Sequence, residues 1–136
     1  MQKTNNVTVT LGCERALTFT LELPWPSKDL SPNARHHWST AAKAKKAYRT
    51  RCRQVGEASG LGLVPKASGS VLVHLEFFPP DKRRRDWDNL VASMKSGLDG
   101  LADAMGVDDS KWRLSFDVSD DPVEHGRVLV TVEVAA

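Results

Sequence analysis

Four stretches of this chain alternate apolar and polar residues with a period of two, and nothing else in the sequence constrains the fold as strongly. Leu17, Phe19, Leu21 and Leu23 interleave with Thr18, Thr20 and Glu22. Val71, Val73, Leu75 and Phe77 interleave with Leu72, His74, Glu76 and Phe78, which makes that stretch apolar on much of both faces. Trp112, Leu114, Phe116 and Val118 alternate with Arg113, Ser115, Asp117 and Ser119, and Val128, Val130, Val132 and Val134 complete the set. Successive side chains of a strand point to opposite faces, so each stretch reads as a strand with an apolar face to bury. The second, apolar on two faces, is expected at the centre of a sheet. Val7, Val9 and Leu11 also alternate and allow a short edge strand behind a polar tail, Met1 to Asn6.

Two helical segments lie between these strands. Ser39 or Thr40 is the expected N-cap of a helix through about Ala58, favoured by Ala41, Ala42, Ala44 and Ala47. A second helix is expected from about Asn89 to Ala104. Leu90, Val91, Met94, Leu98, Leu101, Ala102 and Met105 recur there at helical spacing, and Gly106 follows as a stop. Gly97 and Gly100 weaken this helix but allow close packing. Pro24-Trp25-Pro26 and Pro79-Pro80 end the first and second main strands, because proline fixes φ and restricts the residue before it. Turns are expected at Val107 to Ser110 and at Asp120 to Gly126. The element order is β-α-β-α-β-β, a small two-layer α+β domain with a mixed sheet and two main helices. A length of 136 residues supports one such domain over residues 1–136, with 1–16 as tail and edge strand.

Net charge is +2, but it is unevenly spread. From Lys28 to Lys66 nine basic residues face two acids; from Asp99 to Glu124 eight acids face two basic residues. The first region suits a polyanion. No apolar run approaches the roughly 20 residues of a membrane span, and Met1 to Gly12 has no signal-peptide apolar core. Cys13 and Cys52 stand far apart and read as free thiols of a reducing cytoplasm. The expected setting is therefore cytoplasmic, with no membrane partner.

The chemistry concentrates in Asp81 to Lys95, D-K-R-R-R-D-W-D-N-L-V-A-S-M-K. Lys82, Arg83, Arg84 and Arg85 run straight into Asp86 and Asp88. In extended backbone, carboxylates two apart point to the same side and converge. Convergent carboxylates without His or Cys suit a hard cation such as Mg²⁺. A basic run beside them suits phosphate, so phosphodiester chemistry is the reading. Asp88 also stands where an N-cap belongs, and Asp86 has arginines close by to pair with. Asp108 and Asp109, beyond the same helix, would strengthen the site if the fold brings them near; as plain turn residues they would not. Lys95 is i+7 from Asp88, close to the same helical face, and either aims at the site or solvates the helix. Lys43, Lys46, Arg49 and Arg53 on the first helix are candidate DNA contacts, and a solvated helix surface is the plainer alternative.

Asp-Lys-Arg-Arg-Arg-Asp-Trp-Asp-Asn-Leu resembles the signature of RusA-type Holliday junction resolvases. Leu23-Pro24-Trp25-Pro26 is similar to that family's N-terminal motif, and Val107-Asp108-Asp109-Ser110 to its second acidic motif. The resemblance runs in order from about Thr18 to Val134. It implies a homodimeric, Mg²⁺-dependent endonuclease (with Mn²⁺ as substitute) that nicks opposing strands of a four-way DNA junction, in a bacterial cell or as a phage protein inside one. Asp86, Asp88 and Asp109 match the family's catalytic carboxylates, with Asp108 beside them as a further metal ligand. The family lysine, four residues after the second aspartate, is here Ala92, and Lys95 is the nearest replacement.

The chemistry expected on this resemblance is in-line attack of an activated water on phosphate, leaving 5′-phosphate and 3′-hydroxyl ends. Leu98, Leu101 and the last strand are candidates for a dimer surface. Two rival readings stand beside it. One is a DNA-binding protein that keeps the fold without turnover, for which Ala92 argues. The other is a nuclease for flaps or forks.

Overall fold

The computed structural model describes residues 6–10, 16–34, 37–64 and 70–135. Among the described residues five strands form one sheet: β1 (Asn6–Thr10), β2 (Ala16–Pro24), β3 (Val71–Phe78), β4 (Arg113–Val118) and β5 (Arg127–Ala135). Helix α1 (Trp38–Ala58) follows β2, and α2 (Trp87–Ser93) and α3 (Lys95–Met105) lie between β3 and β4. The strand order is β1-β2-β5-β3-β4. Only the β3–β4 pair is parallel, so the sheet is mixed and the fold is α+β. That parallel pair is joined through α2 and α3, the kind of long crossover that parallel neighbours require.

Register explains where the core sits. Leu21 pairs with Val130 and Val130 with Leu75; Leu23 pairs with Val128 and Val128 with Phe77. Paired residues point to the same face, so these six side chains form continuous rows beneath the helices, all fully buried. Each such side chain stabilises the fold by about 1.5–3 kcal/mol through burial.

Several sequence expectations change here. β3 is an interior strand as expected, paired with β5 and β4, but β5 holds the middle of the five. Leu72 of β3 is 41% exposed, so only one face of that strand is buried. Periodicity reports which face is apolar but not how many neighbours a strand has. The second helix begins at Trp87 and breaks at Met94, so Met94 closes α2 and opens α3. The N-cap of α1 is His37, whose Nδ1 accepts the Ser39 backbone N–H at 3.2 Å; neither Ser39 nor Thr40 caps it. Leu98 and Leu101 are buried in the core, which removes them as a dimer surface, and β5 has both edges paired, which leaves only its outer face open.

Other expectations hold. The chain stops its strands at the two proline corners, and Gly106 ends α3 in the left-handed conformation at φ 71°. Gly97 and Gly100 do serve close packing. A Cβ at Gly97 would lie 2.6 Å from Cε2 of Tyr48, and one at Gly100 would meet the backbone carbonyl oxygen of Arg49. These contacts press α3 against α1. Tyr48 fixes the junction further by donating to the Pro24 carbonyl at 2.7 Å. Cys52 is buried beside it, a free thiol that burial pushes up to about 12. Cys13 lies outside the described residues. No helix among the described residues is long and apolar enough to cross a membrane.

Candidate functional site

The stretch after β3 is organised by Asp81. Its Oδ1 accepts the backbone N–H of Arg83 at 2.9 Å and Nη2 of Arg85 at 2.8 Å. Arg85 also donates through Nη1 to the carbonyls of Asp81 and Arg83, and its guanidinium lies over the Trp25 ring at 5.5 Å. The Arg83 backbone N–H, followed by the Arg85 side chain, holds the Asp81 carboxyl below its usual range. Arg85, with its side chain only 19% exposed, braces the loop against the corner formed by Trp25. Lys82, Arg83 and Arg84 are left exposed on the same loop.

Asp86 and Asp88 follow, both exposed. Asp86, not Asp88, is the N-cap residue of α2; its backbone is extended but its side chain makes no capping bond. Asp88 sits in the first helical turn, where its Oδ1 accepts the N–H of Asn89 at 3.0 Å. The two-residue spacing thus spans a cap and a helical turn instead of a strand. Helical residues two apart do not face each other, so spacing alone does not converge these carboxylates. Between them Trp87 stacks on Phe116 of β4, with centroids 5.4 Å apart and ring planes at 21°.

The other end of the crossover does come together with Lys95. Its Nζ lies 3.0 Å from Oδ2 of Asp109 and 3.0 Å from Oδ1 of Asp99. Asp109 opens a short 3-10 turn, Asp109–Lys111, whose N-cap is Asp108. Asp108 spends both carboxylate oxygens on Ser110, on the backbone N–H at 3.1 Å and on the hydroxyl at 3.0 Å. The adjacent acids therefore divide the work: Asp108 shapes the turn and Asp109 reaches the lysine. Burial works to raise the Asp109 carboxyl, but the Lys95 ammonium beside it outweighs that, and the group ends below its usual range. Lys95 is raised by Asp109 and then Asp99. It is an ammonium shared by two carboxylates, kept charged by them and unsuited to accepting a proton. Asp99 is the residue that sequence reasoning missed. Its signal was there: an acid four residues after a lysine on one helix.

Helix α1 supplies the remaining cations. Lys45, Lys46 and Arg49 share a groove of about 640 Å³ with Lys95 and Asp99 of α3 and with the loop at Leu30. Arg49 is held there by a two-pronged bond to Asp103, at 2.7 and 2.9 Å. Arg53 pairs with Glu57 one helical turn on, at 2.8 Å. Lys43 and Lys46 are exposed, and neither pairs with an acid among the described residues.

Asp86, Asp88, Asp108 and Asp109 are oxygen donors of the type a hard cation takes. Among the described residues, however, no group of three or more His, Cys, Asp or Glu is arranged to hold a metal ion. Asp108 is committed to Ser110, and Asp109 faces an ammonium.

No family model matches this sequence. An uncharacterized protein of Xylella fastidiosa (strain Temecula1 / ATCC 700964) is 41% identical over 114 residues, which cover 82% of this chain and 74% of that one. The chain belongs to that protein's family. Among solved structures, the OmpA-like domain of FopA1 from Francisella tularensis subsp. tularensis SCHU S4 aligns with 100% of this chain and 86% of its own, at 18% identity and a TM-score of 0.37. An overlap that small carries no argument about fold or function. The reading of this family member therefore rests on its own residues.

Proposed function

We propose that this protein is a RusA-like, metal-dependent endodeoxyribonuclease that acts on four-way or otherwise branched DNA, as a homodimer in a bacterial cytoplasm. One observation carries the reading: the 3.0 Å contact of Lys95 with Asp109. It joins the lysine that follows the D-W-D segment to the second acidic motif, residues that the sequence separates and that this chemistry needs together. Mg²⁺ is the ion proposed, with Mn²⁺ as substitute, and Asp86 and Asp88 are the ligands with exposed carboxylates to offer. When bound, such an ion supplies Lewis-acid stabilisation of phosphoryl charge.

The chain's own groups have separable tasks in this reading. Lys82, Arg83 and Arg84 hold the phosphate backbone through contacts that are independent of base sequence. Lys43 and Lys46 extend that surface along α1. Lys95, kept protonated by Asp109 and Asp99, donates to a phosphate oxygen where negative charge accumulates. Asp108 keeps the turn that aims Asp109.

A second reading is favoured by a specific observation: no three of the proposed carboxylates stand together as a metal-holding group among the described residues. On that reading the protein binds branched DNA without cutting it. One experiment separates the two. A mobile synthetic four-way junction is incubated with the wild type and Asp88→Asn, in Mg²⁺, in Mn²⁺ and in EDTA. Paired symmetric nicks that need the metal and disappear in Asp88→Asn are expected. Tight binding by both proteins without a cut in either metal would replace the nuclease with a binding module. Cleavage stronger on flaps or forks than on the junction would move the substrate.

A further inference from the structure

We propose that two copies of this chain join along β4 as an antiparallel pair, about a two-fold axis at Ser115. The argument starts from the buried rows of the sheet. Phe19, Val132 and Val73 form one row, Leu21, Val130 and Leu75 the next, and Leu23, Val128 and Phe77 a third. Every member is at most 3% exposed. The parallel pairing of β3 with β4 continues these rows to Leu114, Phe116 and Val118. There the helical cover ends. Leu114 is 40% exposed and Val118 41%, and Trp87, stacked on Phe116, is 61% exposed. The core thus runs to the margin of the molecule and stops without a lid.

Because β4 ends the sheet, its outward N–H and C=O groups have no strand partner among the described residues. Natural edges are commonly blunted by proline, lysine or a bulge. The Arg113–Val118 strand, R-L-S-F-D-V, has neither proline nor lysine. Its two charges are instead arranged to suit a second copy. A two-fold axis perpendicular to the sheet at Ser115 sets Arg113 opposite Asp117 of the second copy, and does so twice. It also sets Leu114 opposite Phe116 of the second copy, twice, on the face where the apolar rows are open. A pairing centred on Phe116 would set Asp117 against Ser115 and leave both charges unmatched. Charge therefore selects Ser115, and opposite charges directly across an antiparallel pair stabilise it. Asp117 already meets His74 of β3 at 3.3 Å, yet its side chain is 78% exposed and open on the outer side. The symmetry also leaves both helical layers on one side of a continuous sheet, so the second copy extends the two apolar rows that end at Leu114 and Phe116.

This surface is read from the sheet alone and stands without the nuclease. It replaces the buried residues Leu98 and Leu101 as the place where a homodimer forms.

The test uses the full chain in a Cys13→Ser background, with buried Cys52 retained. Residues directly opposite in an antiparallel pair have Cα atoms about 4.5–5.5 Å apart, within disulfide reach. Mild oxidation of S115C is expected to give a disulfide-linked dimer, and S119C is expected to give none. In analytical ultracentrifugation, R113D and D117R alone are expected to weaken self-association by about tenfold, since each change enters the interface twice. The double variant R113D/D117R is expected to recover wild-type association, which a folding defect would not do. A wild type that stays monomeric, a dimer indifferent to both charge reversals, or crosslinking through F116C in place of S115C would each overturn the proposal. Junction nicking by a monomer would refute this surface and leave the nuclease standing; a crosslinked dimer that cuts nothing would do the reverse.

Discussion

Lys95 and Asp109 are fourteen residues apart in sequence and 3.0 Å apart in space, with Asp99 bonded to the same ammonium from one helical turn away. Helix α3 begins at the lysine and hands the chain to the turn at Asp109, so its length sets where the carboxylate returns. Lysine bridges two partly buried carboxylates there, and Lys95 and Asp109 shift each other toward their charged forms.

That pairing predicts a pH dependence. The Asp109 carboxyl is lowered by folding, so its contribution is fully present above the unfolded value, near 3.8, and is lost as pH falls below that through the folded value. Lys95 is raised by folding, so its contribution is fully present below about 10.5 and is lost as pH rises beyond it. Between those limits the pair stabilises the fold by at most about 1 kcal/mol, because the Lys95 side chain is largely exposed and solvent screens it. Urea denaturation of the wild type and Asp109→Asn at pH 6 and pH 3 checks this. The variant should be less stable at pH 6, and the gap should narrow at pH 3. An unchanged gap would mean the pair contributes nothing.

Arg84 and Arg85 are neighbours with different jobs. Arg84→Ala is expected to leave thermal stability within about 0.5 kcal/mol of wild type. It should weaken binding to DNA of any sequence, and reduce the slope of log K against log salt by about one. Arg85→Ala is expected to lower stability by about 1–3 kcal/mol, because it empties the bonds to Asp81 and to two backbone carbonyls and uncovers Trp25. Calorimetry and a salt titration of DNA affinity, run on both variants, decide it. Equal effects on stability would show that Arg85 does not brace the loop.

Gly100→Ala is expected to destabilise the protein by about 1–3 kcal/mol, although alanine favours helix. The added methyl meets the carbonyl oxygen of Arg49 and the backbone nitrogen of Arg53, and backbone yields less readily than a side chain. Ala42→Gly, at an exposed position of α1, serves as a helix-propensity control. Chemical denaturation of the three proteins reads the difference. A Gly100→Ala protein as stable as wild type would mean that α1 and α3 can separate at no cost.

What the sequence determined by itself was local. Alternation with period two located β2, β3, β4 and β5 because a strand's faces are set by neighbours along the chain. Helical periodicity found the apolar side of α3, and proline and glycine marked the ends, because φ restriction acts within a residue or two. The basic run and both acidic motifs could be read directly from the chain. Tertiary structure decided everything that depends on residues meeting from a distance. It set β5 between β2 and β3, it enclosed Leu98 and Leu101, and it turned Arg85 inward onto Asp81 while leaving Arg84 exposed. It gave Asp109 to Lys95 and Asp108 to Ser110, a choice between adjacent identical residues that composition cannot make. The physical reason is the same in each case. Backbone preference is a property of a short segment, whereas burial and pairing depend on which other segment arrives beside it.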